Sequence, residues 1–403
     1  MNKIYISLGA ICLILLVSFV LVKNDYLPFQ KKEETTSVNI VEADVVDDGQ
    51  NESTEPDNPS ENSSEDHVDE GEQSTDNTPV ELNLVPYNGI VEHIFFHPLI
   101  AYPELAFDGD YMEQGYNDYF TTIPEFERII EQLHERNFIL VHLSDVYEEV
   151  NGEVVARTLY LPEGKKPLVI SIDDLNYYEY MIQHGNAYKL ILDDRGRIAT
   201  YSKNPKGEDV ISYTDEIVTL LDTFVEKNPD FSLNGAKGTI ALTGYEGILG
   251  YRTQEDSPNR EAEIEEAKKI VAELKRTGWI FASHSYGHIN VTNVSLQHLI
   301  SDSEAWKREV ESIIGPTPLY IYPYGARADY HSPKFKYLVD SGFKVISAVG
   351  PNSYTKVING AYTMDRRHMD GIGFIDQPHT MTDLFDVDYV LDKVNRPAKY
   401  WNK

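Results

Sequence analysis

From about Val85 onward, the chain alternates between short hydrophobic runs typical of β-strands and longer segments whose hydrophobic residues recur at helical spacing. The helical pattern is clearest over Pro124–Arg136, Thr214–Lys227 and Glu261–Arg276, and Thr122 can cap the first of these helices. Strands followed by helices indicate parallel β–α–β units, so the pattern predicts a barrel-like α/β domain. The strand candidates are Val91–His97, Phe138–Leu143, Leu168–Ile172, Gly238–Thr243, Trp279–Ser283, Leu319–Tyr322 and Lys344–Val349.

The chain begins with a hydrophobic segment. Residues 4–22 are hydrophobic or small and carry no charge. A helix of that length comes close to the roughly 30 Å thickness of a bilayer core. Residues 1–23 are therefore predicted to be a transmembrane anchor or a signal segment. We favour a single-pass anchor in the cell membrane because Val20-Leu21-Val22 offers no small-residue cleavage site. The rest of the chain is then expected outside the cell, and it would be secreted if the segment were cleaved.

A polar, acidic segment follows. Residues 33–81 contain 17 Asp and Glu and no Lys or Arg. Such a composition cannot bury enough apolar surface to offset chain entropy, so residues 24–84 are predicted to be a disordered linker. The formal net charge is −31, and −14 remains when this segment is set aside. Phosphate binding needs a basic surface, so this charge argues against nucleic acid as a partner. Cys12 is the only cysteine, so disulfides and thiolate metal sites are not expected downstream.

Polar side chains collect where the predicted strands end. His97 ends the first strand candidate, Asp173 and Asp174 follow the third, and His284 and His288 follow the fifth. In parallel α/β folds the carboxyl ends of the strands meet at one rim, which is where chemistry collects. Two histidines and one carboxylate can hold a catalytic metal ion and leave positions open for water and substrate. This donor set suits zinc, and cobalt, nickel and manganese are further candidates.

The two neighbouring aspartates repel each other, which needs a reason. Neighbours along a strand point to opposite sides, so one aspartate could bind the metal while the other stays beside it as a base. A helix N-cap followed by an acidic first turn would also explain the two aspartates. That alternative leaves the paired histidines unexplained, although an isolated histidine pair at this spacing would more often be structural.

Three short motifs resemble those of the NodB-type polysaccharide deacetylases, in the family's order. SIDDL at 171–175 resembles T-F-D-D-G, SHSYGH at 283–288 resembles H-[ST]-x-x-H, and YPYG at 322–325 resembles the turn motif R-x-P-Y/F-G. The resemblance covers roughly residues 86–370. It implies a distorted (β/α) barrel of about seven strands, and metal-dependent removal of acetyl groups from N-acetylated, less often O-acetylated, sugars.

The resemblance also implies residue roles. Asp173 would be the general base, and Asp174 would bind the metal together with His284 and His288. The backbone N–H of Tyr324 would help to hold the oxyanion. These roles make residues 85–403 a polysaccharide deacetylase-like catalytic domain.

The family's catalytic acid histidine usually lies in a late Leu-x-His motif, and His379 is a poor match because it follows no hydrophobic strand. A circularly permuted subgroup, the poly-N-acetylglucosamine deacetylase type, carries that histidine in an N-terminal strand, which IFFHPL at 94–99 resembles. His97 is therefore predicted to be the acid, and His93, deeper on the same strand face, to be structural. A strand-end histidine with a satisfied hydrogen bond is the alternative for His97.

The chain departs from the family pattern at two positions. Leu175 replaces the glycine after Asp-Asp, which could change the local turn. Ile321 stands where the turn motif usually has the arginine that steadies the base. Arg252, Arg366 or Arg367 could substitute for that arginine, and the sequence does not decide between them.

The expected activity is removal of acetyl groups from a cell-wall or extracellular polysaccharide of the peptidoglycan or poly-N-acetylglucosamine type. Two alternatives stay open, a catalytically impaired glycan-binding surface module and a metal-dependent carbohydrate O-acetyl esterase. Tyr177, Tyr178, Tyr245 and Tyr286 cluster near the rim. Their aromatic faces suit sugar rings, but packing at the rim is the better explanation for any one of them.

Overall fold

The computed structural model describes residues 83–402. The predicted anchor at 1–23 and nearly all of the predicted linker at 24–84 lie outside these residues and stay predictions. Within the described part of the chain, none of the helices combines the length and the hydrophobicity needed to cross a membrane.

The described residues form sixteen strands and eleven α-helices. The strands are β1 (Leu84–Tyr87), β2 (Glu92–Phe96), β3 (Phe138–Leu140), β4 (Tyr147–Val150), β5 (Glu153–Ala156), β6 (Leu159–Pro162), β7 (Lys166–Asp173), β8 (Lys189–Leu192), β9 (Ile198–Lys203), β10 (Asp209–Ser212), β11 (Thr239–Leu242), β12 (Ile280–Ser283), β13 (Leu319–Ile321), β14 (Val345–Val349), β15 (Tyr354–Ile358) and β16 (Ala361–His368). The α-helices are α1 (Pro103–Ala106), α2 (Glu113–Tyr119), α3 (Ile123–Glu135), α4 (Glu179–Gln183), α5 (Ile217–Lys227), α6 (Arg260–Arg276), α7 (Leu296–Trp306), α8 (Ser312–Ile314), α9 (Pro333–Asp340), α10 (Val387–Val390) and α11 (Ala398–Trp401).

Within residues 83–402, seven strands close into a parallel barrel. Around the barrel they run β2, β7, β11, β12, β13, β14 and β16, and β16 pairs again with β2. Closure occurs at β7, which pairs with β2 along one edge and with β11 along the other. The predicted α/β barrel of about seven strands is therefore confirmed.

One of the seven strands predicted for the barrel is not part of it, and another strand takes its place. The candidate at 138–143 forms β3, which pairs with the start of β7 and lies outside the closed ring. It is excluded because β11 occupies the same edge of β7 from Ser171 onward. The barrel is completed instead by β16, which the hydrophobic pattern missed because its sequence, AYTMDRRH, contains an aspartate and two arginines.

Helix α3 shows why the predicted helices form. Thr122 accepts a hydrogen bond from the backbone N–H of Glu125, whose side chain accepts one from the N–H of Thr122. This capping box satisfies two N–H groups that the first helical turn leaves unpaired. Phe126, Ile129 and Leu133 lie on one face of the helix and are fully buried in the core outside the barrel.

The barrel interior changes character along its axis. Its lower part is filled by hydrophobic side chains that the strands direct inward, among them Val169 of β7, Ala241 of β11 and Ile321 of β13. Two residues further along the inner face of β7 the side chain is Ser171, and two further still it is Asp173. The polar groups therefore lie at the carboxyl-end rim of the barrel.

Candidate metal centre and active site

Asp174, His284 and His288 come together at this rim. Each offers one ligand atom, and these atoms lie within 4.8 Å of one another. Nε2 of His288 is 3.4 Å from Oδ2 of Asp174, and the two imidazole centroids are 5.1 Å apart. Two imidazole nitrogens and one carboxylate oxygen are a donor set that fits a catalytic divalent ion such as zinc. The structure thus brings the three predicted ligands together, and binding of a metal stays a prediction.

The backbone turns sharply at these ligands. The φ angles are +60° at Asp174, +58° at Ser285 and +50° at His288. Non-glycine residues rarely adopt this left-handed region, and where they do they cluster at functional sites. These turns follow directly after β7 and β12, so the ligand side chains project over the rim.

The two histidines are held in a state suited to metal binding. Nδ1 of His284 lies 2.9 Å from the carbonyl oxygen of Ile321 and donates its hydrogen there, which leaves Nε2 for an ion. Burial lowers the pKa of His288 to about 4, so its imidazole is neutral at pH 7. A ligand histidine must be neutral. Ile321, which lacks the family's arginine side chain, therefore still supports the site through its backbone.

Asp173 lies next to the ligands, with Oδ2 3.8 Å from Nε2 of His284, but its main partner is an arginine. Nη1 and Nη2 of Arg366 donate to its two carboxylate oxygens at 2.7 and 2.8 Å, and both residues are buried. Arg366 also donates to Ser171 at 3.0 Å and lies 4.0 Å from the ring of Phe95. Burial alone would raise the pKa of Asp173, but Arg366 outweighs it and holds the pKa well below its usual range. Buried His93 lies 2.9 Å from Ser171, which fits its predicted structural role.

The other two arginines considered from the sequence make different contacts. Arg252 donates to the carbonyl oxygen of Tyr177 at 2.9 Å, and Arg367 pairs with Glu92. Of the three arginines considered from the sequence, Arg366 is therefore the one that contacts Asp173, and it comes from the strand that the hydrophobic pattern did not reveal.

His97 lies beside the aspartates at the end of β2. Its Nδ1 is 2.9 Å from the carbonyl oxygen of Tyr119 and donates there, so Nε2 is the nitrogen left for chemistry. Burial would raise the pKa of Asp174, but the histidines around it, His288, His284 and His97, outweigh burial and lower the pKa. His97 is thus part of the same electrostatic cluster as the predicted ligands.

Tyr324 also reaches this cluster. It lies in the turn Pro323–Gly325 with a φ of +59°, and its ring centroid is 4.5 Å from that of His288. Its side chain is 58% exposed, so it forms part of the accessible surface beside the candidate metal centre.

The four tyrosines predicted near the rim have different surroundings. Tyr177 and Tyr178 are buried, and Tyr286 donates a hydrogen bond to Glu309 at 2.9 Å. Tyr245 is 38% exposed and is the one of these four with a substantially accessible ring. Of these four tyrosines, Tyr245 therefore offers a sugar ring the most accessible aromatic face.

Leu175 does not disturb the turn after the two aspartates. The left-handed backbone falls on Asp174 and Tyr177, so position 175 does not need a glycine. The leucine side chain is fully buried in the main hydrophobic core. Asn176 fixes the loop, because its side-chain amide donates to the carbonyl oxygens of Thr243 and Gly247.

A second buried carboxylate ties together the loops that follow β2 and β7. Glu216 accepts hydrogen bonds from the backbone N–H of Ile217 at 2.7 Å and of Leu99 at 3.3 Å. Its other oxygen accepts from the hydroxyl of Tyr177 at 3.1 Å. Burial raises the pKa of Glu216 to about 8. Sequence reasoning did not reveal this contact, because residues more than 100 positions apart in the chain meet there.

Barrel and rim together define an α/β-barrel protein with a two-histidine, one-aspartate centre and an adjacent carboxylate. Residues 256–346 match the family model for polysaccharide deacetylase, and this range includes His284, His288 and the YPYG turn. The family resemblance is thereby confirmed over residues 256–346, which contain the second and third motifs, and the subgroup stays a prediction.

The chain aligns in part with solved structures of deacetylases. The Streptococcus pyogenes deacetylase PplD, in complex with acetate, is 12% identical, with 74% of this chain and 99% of that chain covered and a TM-score of 0.45. A polysaccharide deacetylase from Bacillus cereus is 14% identical, with 74% and 69% covered and a TM-score of 0.41. The chitin deacetylase of the fungus Colletotrichum lindemuthianum is 12% identical, with 43% and 76% covered and a TM-score of 0.25. None of the curated proteins matches in sequence. At such identities and TM-scores, these likenesses carry no weight for substrate or mechanism.

Proposed function

We propose that this protein is a metal-dependent hydrolase that removes acetyl groups from N-acetylated sugars of a cell-wall or extracellular polysaccharide. One observation carries the proposal. A carboxylate, Asp173, is kept ionised by Arg366 directly beside a separate set of three metal-type ligands. Metal-dependent hydrolysis of an amide uses both parts, a site for a Lewis acid and a base next to it. The polysaccharide deacetylase family match supports the same reaction class.

Each residue of the site has a distinct proposed role. Asp174, His284 and His288 would hold the ion, which supplies a Lewis acid for the acetamide carbonyl when bound. Asp173, which Arg366 keeps in the deprotonated form that a base needs, accepts a proton from the attacking water.

The leaving group and the oxyanion need further donors. His97, in its imidazolium form, donates the Nε2 proton to the departing amine and keeps the Nδ1 hydrogen on the carbonyl of Tyr119. The backbone N–H of Tyr324 donates a hydrogen bond to the oxyanion that forms at the acetyl carbonyl oxygen. Proton uptake from water is thus assigned to Asp173, proton donation to the amine is assigned to His97, and Tyr324 stabilises charge without transferring a proton.

Arg366 also bears on the choice between an enzyme and a glycan-binding module. The binding module was suggested by Ile321, which leaves the turn motif without its arginine. Arg366 gives Asp173 a two-bond partner from another strand, so that reason for an impaired enzyme falls away.

We further propose that the protein acts outside the cell, anchored through residues 4–22 and extended by the acidic linker. The hydrophobic run and the charge of the linker support this arrangement. A polymer of the peptidoglycan or poly-N-acetylglucosamine type would then lie within reach.

The test is acetate release by the purified full chain. Metal-stripped protein is reloaded with zinc or cobalt and incubated with N-acetylglucosamine oligomers or peptidoglycan. We expect acetate from the loaded wild type, and an Asp173→Asn variant that keeps the metal but loses turnover. No acetate from any glycan with the metal bound would refute the proposal. Release from acetyl esters alone would assign the protein as an O-acetyl esterase.

A further inference from the structure

Tyr178 lies directly behind the candidate metal ligand Asp174. Its hydroxyl is 2.6 Å from Oδ1 of Asp174 and 2.5 Å from Oγ1 of Thr243, and its side chain is buried. An ionised carboxylate can only accept, so the phenol donates its single hydrogen to Asp174. The Thr243 hydroxyl then donates to the phenol oxygen. The three groups form a directed chain that ends on the carboxylate.

The ring of Tyr178 is also held in place. It stacks with Tyr245 at a centroid distance of 4.9 Å and an interplanar angle of 21°, and with Tyr180 at 5.9 Å and 26°. Aromatic stacking at these separations adds to burial in fixing a ring. The phenol oxygen therefore has a defined position relative to the carboxylate.

This contact makes the two oxygens of Asp174 different. Oδ1 is engaged by the phenol, whereas Oδ2 lies 3.4 Å from Nε2 of His288, on the side of the predicted ligands. Without the phenol, the carboxylate could rotate about its side-chain bonds and lose the orientation that an ion requires. Groups that orient a ligand in this way are typically worth about 10- to 100-fold in metal affinity.

We infer that Tyr178 is a positioning residue that orients Asp174 for metal binding through its phenolic hydroxyl. The inference rests on the metal site of the proposed function. It goes beyond that proposal because it assigns part of the affinity for the ion to a residue that is not one of the three ligands. Thr243 acts through Tyr178, because its hydroxyl donates to the phenol oxygen that in turn donates to Asp174.

The chain provides a matched control. Tyr180 is a neighbouring tyrosine that stacks on the same ring. Tyr180→Phe removes the same atom as Tyr178→Phe but leaves the hydrogen bond from Tyr178 to Asp174 in place. Both variants are made in the full chain, stripped of metal, and titrated with zinc against a chelating dye. The absorption bands of the cobalt-loaded proteins provide a second readout of the ligand geometry.

We expect Tyr178→Phe to raise the zinc Kd by about 10- to 100-fold and Tyr180→Phe to change it less than about twofold. An unchanged Kd in Tyr178→Phe, or equal losses in both variants, would overturn the inference while leaving the metal site intact. A wild type that binds no zinc would overturn the metal site itself. If Tyr178→Phe does not fold, Thr243→Val decides instead. A several-fold rise in its Kd supports the inference, and a wild-type Kd refutes it.

Discussion

Replacing Arg366 with methionine should be among the most damaging single changes in the barrel. Methionine keeps an unbranched side chain against Phe95 but removes the guanidinium that makes both bonds to Asp173. Each hydrogen bond to a charged group is worth roughly 1.5–3 kcal/mol. Removing one member of a buried ion pair costs about 3–5 kcal/mol, because the other charge stays buried without compensation. We therefore expect Arg366→Met to lower the free energy of unfolding of the metal-free protein by about 3–5 kcal/mol.

The pH dependence of this loss follows from the pKa of Asp173. In the wild type that pKa lies below its ordinary value, so the ion pair stabilises the fold above about pH 4 and the stabilisation is lost as the pH falls. In Arg366→Met the guanidinium is absent, so burial raises the pKa of Asp173. The difference between the two proteins should thus be largest at neutral pH and shrink below about pH 4.

Urea unfolding with chelator present measures the free energy of unfolding. The proteins compared are wild type, Arg366→Met, Asp173→Asn and the double variant. The double variant removes the uncompensated charge, so it should recover most of the stability lost in Arg366→Met. Two results would contradict this prediction: a loss of unfolding free energy below about 1 kcal/mol in Arg366→Met, or a double variant no more stable than Arg366→Met. Breaking a buried ion pair is expected to cost several times that amount.

Three further predictions concern other groups. His97→Gln should lower kcat by about 10²- to 10⁴-fold while the zinc Kd stays unchanged, as expected for a proton donor that is not a ligand. His288→Ala should abolish stoichiometric zinc binding by metal analysis, and excess zinc should not restore acetate release. Glu216→Gln should flatten the pH dependence of unfolding. With a folded pKa of about 8, wild-type Glu216 stabilises fully at low pH, and this is lost as the pH rises from about 4.5 to 8. Calorimetry at pH 5 and pH 8 tests this prediction through the melting temperatures of wild type and Glu216→Gln. The same change in melting temperature between the two pH values in both proteins would contradict it.

Short-range signals predicted much of the fold and the site. The capping box that starts α3 lies within four consecutive residues, so the sequence reveals it directly. The predicted ligands His284 and His288 are close in sequence and follow a recognisable strand. The structure does bring them together with Asp174.

Contacts between distant residues could not be predicted. Arg366 and Asp173 are 193 positions apart, and β16 is hard to recognise as a strand because charged residues interrupt its hydrophobic pattern. The contact of Tyr178 with Asp174 is local, but it depends on left-handed backbone at Asp174, which L-residues rarely adopt. Propensities and periodicity do not encode such a turn.

The closure of the barrel has a consequence for biosynthesis. Strand β16 completes the barrel beside β2, where Arg367 and Glu92 pair across 275 positions of the chain. A chain emerging from the ribosome therefore cannot close the barrel until almost all of the domain has been made. The same late strand carries Arg366, the partner of the predicted base. We expect a chain that ends before β16 to leave the other barrel strands with unpaired edges and to aggregate, which light scattering during expression would reveal. The order of synthesis thus delays an assembled active site until the fold is complete.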